Sequence, residues 1–170
     1  AVPLGGDGKA RSYARYSDKT IGDWLKINNS NSKVYSIAGK DRSAVLMGGI
    51  NPDLAIYYNY ENRFITSNYY RLDVPDWLNE FNNNLRLDNY SDSLWTKSLS
   101  DEFYLKYSRV DDYAGETDSY NDDIYSPIFP IGFDSDTPPG KSIMGRPWFE
   151  RIILDLALEV VLEDSSGFDS

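Results

Sequence analysis

The stretch "KVYSIAGKDRSAVLMGG" occupies residues 33–49, and the reading of its middle decides the fold. Residues 33–38 have the β-branched and aromatic character of a buried strand. The chain then runs into Lys40, Asp41 and Arg42 before returning to apolar residues. Just upstream, Ser17 and Asp18 read as a helix start, and Ile21, Trp24 and Leu25 fall at i, i+3 and i+4. That spacing predicts a short amphipathic helix ended by the Asn/Ser cluster at 28–32. Helix, loop and strand in this order form the building unit of α/β sheets, in which ligands sit beyond the carboxyl ends of strands. Lys40 and Arg42 fall at that place. Extended residues two apart point the same way, so both cations are expected to face one ligand while Asp41 faces the opposite side. Arg offers a planar fork of donors and Lys a compact charge, a pair suited to a phosphoryl or sulfuryl group. Such triplets also recur as ordinary charged loops, so the neighbouring segments must decide.

Those segments continue the pattern. Residues 54–59 and 62–67 predict two strands joined by a tight polar turn. Pro75 sits at a helix start, and Trp77, Leu78 and Phe81 form the stripe of a helix that ends at 82–84. Residues 85–136, rich in Tyr, Asp, Ser and Asn, follow neither the helical nor the strand period and predict an irregular, partly ordered insertion. From Pro147 onward Phe149, Ile152, Ile153, Leu156, Ala157 and Val160 repeat at helical spacing, with Gly167 as a stop signal. There is no internal repeat.

Composition narrows the chemistry. The 170 residues are 41% apolar and 15% aromatic, enough for one domain with a core. The net charge of -10 disfavours binding to nucleic acid or to an anionic membrane surface, while leaving room for a local anion site. The charge is uneven: residues 85–136 hold 4 Lys and Arg against 12 Asp and Glu, whereas residues 1–84 hold 10 against 9. With no cysteine and no histidine, a thiolate or imidazole metal site, a disulfide and a Ser-His-Asp triad are excluded from this chain. No apolar run approaches a membrane span, and the first residues lack the order of a signal peptide.

Several short motifs read more simply as structure. "TPPGKS" at 137–142 and "GGDGK" at 5–9 lack the first glycine of a phosphate loop and read as turns. The acidic pairs Asp111–Asp112, Asp122–Asp123 and Asp134–Asp136 lack the spacing of a calcium loop and read as solvated surface. Asn28–Ser30 and Asn89–Ser91 match glycosylation tripeptides, which are common in any Asn/Ser-rich chain.

Four blocks in order, "RSYARYSDKTIGDWLK", "SKVYSIAGKDRSAVLMGG", "RFITSNYY" with "VPDWLNEFN", and "FDSDTPPGKS" with "RPWFERIILDLALEVVLED", resemble the alkaline phosphatase superfamily. Within it they resemble the branch of type I phosphodiesterase/nucleotide pyrophosphatase proteins and single-threonine alkaline phosphatases. The resemblance implies an α/β fold: part of a doubly wound alkaline-phosphatase-like sheet with an irregular α+β capping insertion. Residues 1–50 and 137–170 would supply the core and 51–136 the substrate cap. It implies that Lys40 and Arg42 bind the substrate phosphoryl group of a zinc-dependent phosphomonoesterase or phosphodiesterase. In the family the threonine nucleophile and two zinc ions complete the site, with ligands before and after the matched region. The resemblance therefore implies that this chain holds no catalytic residue and no metal ligand, is an internal fragment, and is inactive by itself. It further implies a periplasmic or secreted parent, with a phosphate ester, phosphate or sulfate as ligand. The partner would be the remainder of the enzyme or a second copy of the chain. The reading from another class is a non-catalytic glycan- or protein-binding module built on the aromatic, acidic middle.

Overall fold

A computed structural model describes residues 1–113, 128–133 and 137–164 of the chain. The strands β1 (Pro3–Leu4), β2 (Tyr35–Ala38), β3 (Leu54–Tyr58) and β4 (Phe64–Ser67) form one mixed sheet in the order β1-β4-β3-β2. β2 and β3 are parallel, with Ala38 opposite Tyr57 at their carboxyl ends. β3 and β4 form the predicted hairpin, antiparallel, with Tyr58 opposite Phe64. Tyr60 and Asn62 take positive φ in its turn, the conformation that a reversal this tight demands.

Alternation along the strands gives the sheet two apolar faces. On one, Tyr57 and Ile65 pack with Ala44 of α2 (Asp41–Gly48), the helix that crosses from β2 to β3. On the other, Tyr58 and Phe64 meet Phe149, whose ring lies 5.1 Å from Tyr58 and stacks 6.2 Å from Phe64. Phe149 opens the buried stripe of α6 (Pro147–Asp164), where Ile152, Leu156 and Val160 are buried as the periodicity predicts. Gly167, its predicted stop, lies outside the described residues. Phe81 of α3 (Asp76–Asn84) meets Phe64 edge-on at 5.9 Å. At the next residue, the buried Asn82 amide accepts from Phe64 N–H at 2.7 Å and donates to Phe64 C=O at 2.8 Å. A side chain thus takes the ladder position that the short β1 leaves open on β4.

The structure corrects four expectations. First, α1 (Ile21–Asn28) is capped by Thr20 rather than begun at Ser17: the Asp23 carboxylate accepts from Thr20 N–H at 2.9 Å, satisfying an orphan donor of the first turn. Second, the apolar stripe of α1 is not what packs, since Ile21 is 72% and Trp24 58% exposed. The helix docks through Gly22 and Asp23, because only a residue without Cβ lets its backbone lie against Val34 and the Gly48 carbonyl. Third, the Lys-Asp-Arg triplet is not extended. Lys40 is the N-cap residue of α2 and Asp41 its first residue, so residues two apart no longer share one side. Ala44, Val45 and Gly48 form the buried face, and Gly49 at φ +85° ends the helix. Fourth, residues 85–136 contain regular structure: α4 (Asp101–Tyr107) begins where Ser100 Oγ accepts from Phe103 N–H, with Asp101 and Glu102 in the first turn.

The chain divides into two compact units, residues 1–86 with 149–170, and residues 87–148. The expected division at 50/51 and 136/137 therefore shifts: the hairpin hydrogen-bonds into the same sheet as β2, while "TPPGKS" forms the one-turn helix α5 (Pro139–Ser142) within the second unit. That unit buries Leu87 and Ile143 and stacks Trp148 with Tyr90 and with Phe133. Lys97 bridges Asp101 and Asp111 at 2.8 Å each.

Candidate functional site

The carboxyl ends of β2 and β3 lie side by side, and two segments converge on them. From β2 the chain passes through Gly39, where a Cβ would run into the Phe149 ring, and enters α2, where Asp41 Oδ1 accepts from Arg42 N–H at 2.7 Å. That carboxylate lies in the first turn of α2, at the positive end of the helix dipole. From the amino terminus, residues 9–11 cross the same end of the sheet, held by Tyr57. Its hydroxyl donates to the Lys9 carbonyl and accepts from Arg11 N–H, both at 3.0 Å. Ser67 Oγ fixes the segment a second time by donating to the Arg11 carbonyl at 2.6 Å. Burial pushes the Tyr57 phenol up to about 12 against the opposing Arg11 hydrogen bond, so it stays neutral and acts as an anchor rather than a nucleophile.

Between these segments lies a cleft of about 780 Å³, lined by Lys9, Arg11, Arg15 and Arg42 with the single carboxylate of Asp41 and the rings of Tyr16 and Tyr60. Arg11 Nε pairs with Asp41, leaving Lys9, Arg15 and Arg42 to set the local charge. A chain of net charge -10 thus concentrates positive charge in a cleft at the carboxyl ends of β2 and β3. The two cations singled out from sequence separate here. Arg42 lines the cleft; Lys40 is exposed at the helix cap and does not. Asp41 shares the cleft with Arg42 instead of facing away from it. Lys9, Arg11 and Arg15 escaped the sequence reading. Three cations in the seven residues "KARSYAR" were the available signal, but their convergence with Arg42 depends on the long-range anchoring by Tyr57 and Ser67.

A mixed sheet of this topology, flanked by helices, matches part of the alkaline-phosphatase-like fold, and the chain is similar in sequence to alkaline phosphatases. The crystal structure of wild-type alkaline phosphatase PafA superposes with a TM-score of 0.74 at 25% identity, over 99% of this chain and 33% of that one. A variant of the same enzyme, substituted at a threonine, an asparagine, and a lysine and arginine two positions apart, superposes with a TM-score of 0.72 at 25% identity over 94% of this chain and 32% of that one. In sequence, the chain is 41% identical over 66 residues to alkaline phosphatase PafA of Elizabethkingia meningoseptica, covering 38% of this chain and 12% of the relative. It is 33% identical over 118 residues to a calcium-transporting ATPase of Myroides odoratus, covering 67% and 22%. The chain thus spans less than a quarter of the length of these curated relatives. No family model matches it.

Proposed function

We propose that this chain contributes the anion-binding corner and the substrate cap of a metal-dependent phosphate-ester hydrolase. The observation that carries this reading is the placement of Arg42, at the first turn of α2 and inside a cationic cleft beyond the carboxyl ends of two parallel strands. Arg42 would hold two phosphoryl oxygens bidentately, and Lys40 would swing from the cap to neutralise a third oxygen. A lysine and an arginine two positions apart, substituted together in the variant of alkaline phosphatase PafA, support the pairing of Lys40 with Arg42. The choice between monoester and diester would be made by groups around the leaving-group side.

Zinc belongs to this reading only through the larger protein. The chain has no histidine or cysteine, and among the described residues no three metal-ligating side chains come together. The described residues do not fit a two-zinc centre, so the metal ligands of such an enzyme would come from elsewhere in it. A periplasmic or secreted enzyme is the source consistent with alkaline phosphatase relatives; among the described residues no helix is long and apolar enough to cross a membrane.

Calorimetric titration with inorganic phosphate tests the assignment. The wild-type chain is expected to bind weakly, and Arg42→Ala to lose about tenfold or more in affinity, the scale of a charge-assisted contact. Equal affinities in the two proteins would remove Arg42 from the site.

A further inference from the structure

We infer that the cleft selects small phosphate esters carrying a second anionic group, a phosphoryl or a carboxylate, held by Lys9 and Arg15 while Arg42 holds the first. This rests on the phosphate-binding reading above and extends it to substrate class. A single phosphoryl group would be satisfied by Arg42 and Lys40, yet the cleft presents Lys9 and Arg15 in addition. Neither is neutralised in place: the one carboxylate of the lining, Asp41, is engaged by Arg11. Three like charges in one concavity repel one another, a cost that a multiply charged ligand removes and a single phosphate removes only in part. The volume of about 780 Å³ matches a whole small-molecule ligand. The exposed rings of Tyr16 and Tyr60 line the same cleft, giving a linking carbon chain an apolar surface. A polymeric polyanion is disfavoured, because the remainder of the chain is acidic and repels anything extending beyond the cleft.

The experiment compares inorganic phosphate, propyl phosphate, 1,3-propanediol bisphosphate and 1,6-hexanediol bisphosphate by calorimetry against the full chain. At least one bisphosphate is expected to bind about tenfold or more tighter than propyl phosphate. The preference should weaken steeply with added salt. In the double variant Lys9→Ser/Arg15→Ala the ratio should collapse to near one, with folding checked by circular dichroism. If the double variant unfolds, Arg15→Gln alone should reduce the ratio. Wild-type binding of phosphate with no bisphosphate preference, or a preference that survives both variants, overturns the second-anion site alone. Failure of the wild type to bind phosphate at all overturns the underlying phosphate reading and this proposal with it.

Discussion

Asp23 illustrates how much a single carboxylate organises. Its oxygens accept from Thr20 N–H, from Thr20 Oγ1 at 3.2 Å, and from the amides of Ile50 and Asn51 at 3.0 and 3.2 Å, tying the start of α1 to the loop after α2. Burial opposes its ionisation, but the hydrogen bonds from Thr20, Ile50 and Asn51 outweigh burial and hold the carboxyl below its ordinary value of 3.8. A lowered folded value means that this stabilisation is complete above 3.8 and is lost as pH falls through the folded value. Asp23→Ala strands buried amides and is expected to cost about 1–3 kcal/mol in urea unfolding at neutral pH. Asp23→Asn should flatten the acid limb of a stability-against-pH curve. An unchanged acid limb would assign the slope to other carboxylates. None of this was visible in sequence, where Asp23 sits between the apolar residues Ile21 and Trp24 that drew attention; its partners at 50 and 51 are more than two dozen residues away.

At the scale of elements, the docking of α6 on the sheet depends on the close approach of Gly39 to Phe149. A Cβ at Gly39 would overlap the ring, so Gly39→Ala must either displace α6 or bend the β2–α2 junction that carries Lys40. Overpacking of this kind costs about 1–3 kcal/mol, measurable as a lower urea midpoint followed by tryptophan fluorescence. A loss within about 0.5 kcal/mol of wild type would mean that the ring yields freely. Elements whose residues carry their own period were legible from sequence: α6 over four turns, the hairpin through its polar turn, and β2 through its apolar run. The conformation of Lys40–Arg42 was not, because three charged residues carry no periodicity and the helical face of Ala44, Val45 and Gly48 begins only after them. The position of Arg42 just past the carboxyl end of β2 was legible; the separation of Lys40 from it, and the arrival of Lys9 and Arg15, were set by contacts spanning 46 and 56 residues.

For the whole molecule, the pattern of exposure decides what the chain does in solution. Besides Ile21 and Trp24 on α1, Met47 on α2 is 66% exposed and Leu158 on α6 is 57% exposed, with Leu154 and Leu162 one turn away on either side. Apolar stripes of this length exceed the scattered single residues normal for a soluble surface and mark faces that bury against something. Among the described residues β2 also stands at the edge of the sheet, with β3 on its one paired side. In the superposed alkaline phosphatase PafA, two-thirds of the chain has no counterpart here. Either the rest of such a fold or a second copy would cover these faces, and in isolation only the second copy is available. We therefore expect sedimentation velocity to show association that grows with concentration across the micromolar range. The net charge of -10 opposes it, so added salt should strengthen the association by screening that repulsion. Contact through the cationic cleft would have the opposite salt dependence, which separates the two modes. Trp24→Glu and Leu158→Glu each add a charge to an apolar face and should shift the distribution toward monomer. A wild-type chain that stays monomeric at all these concentrations, in high salt as in low, would show that these faces are tolerated by water and need no partner.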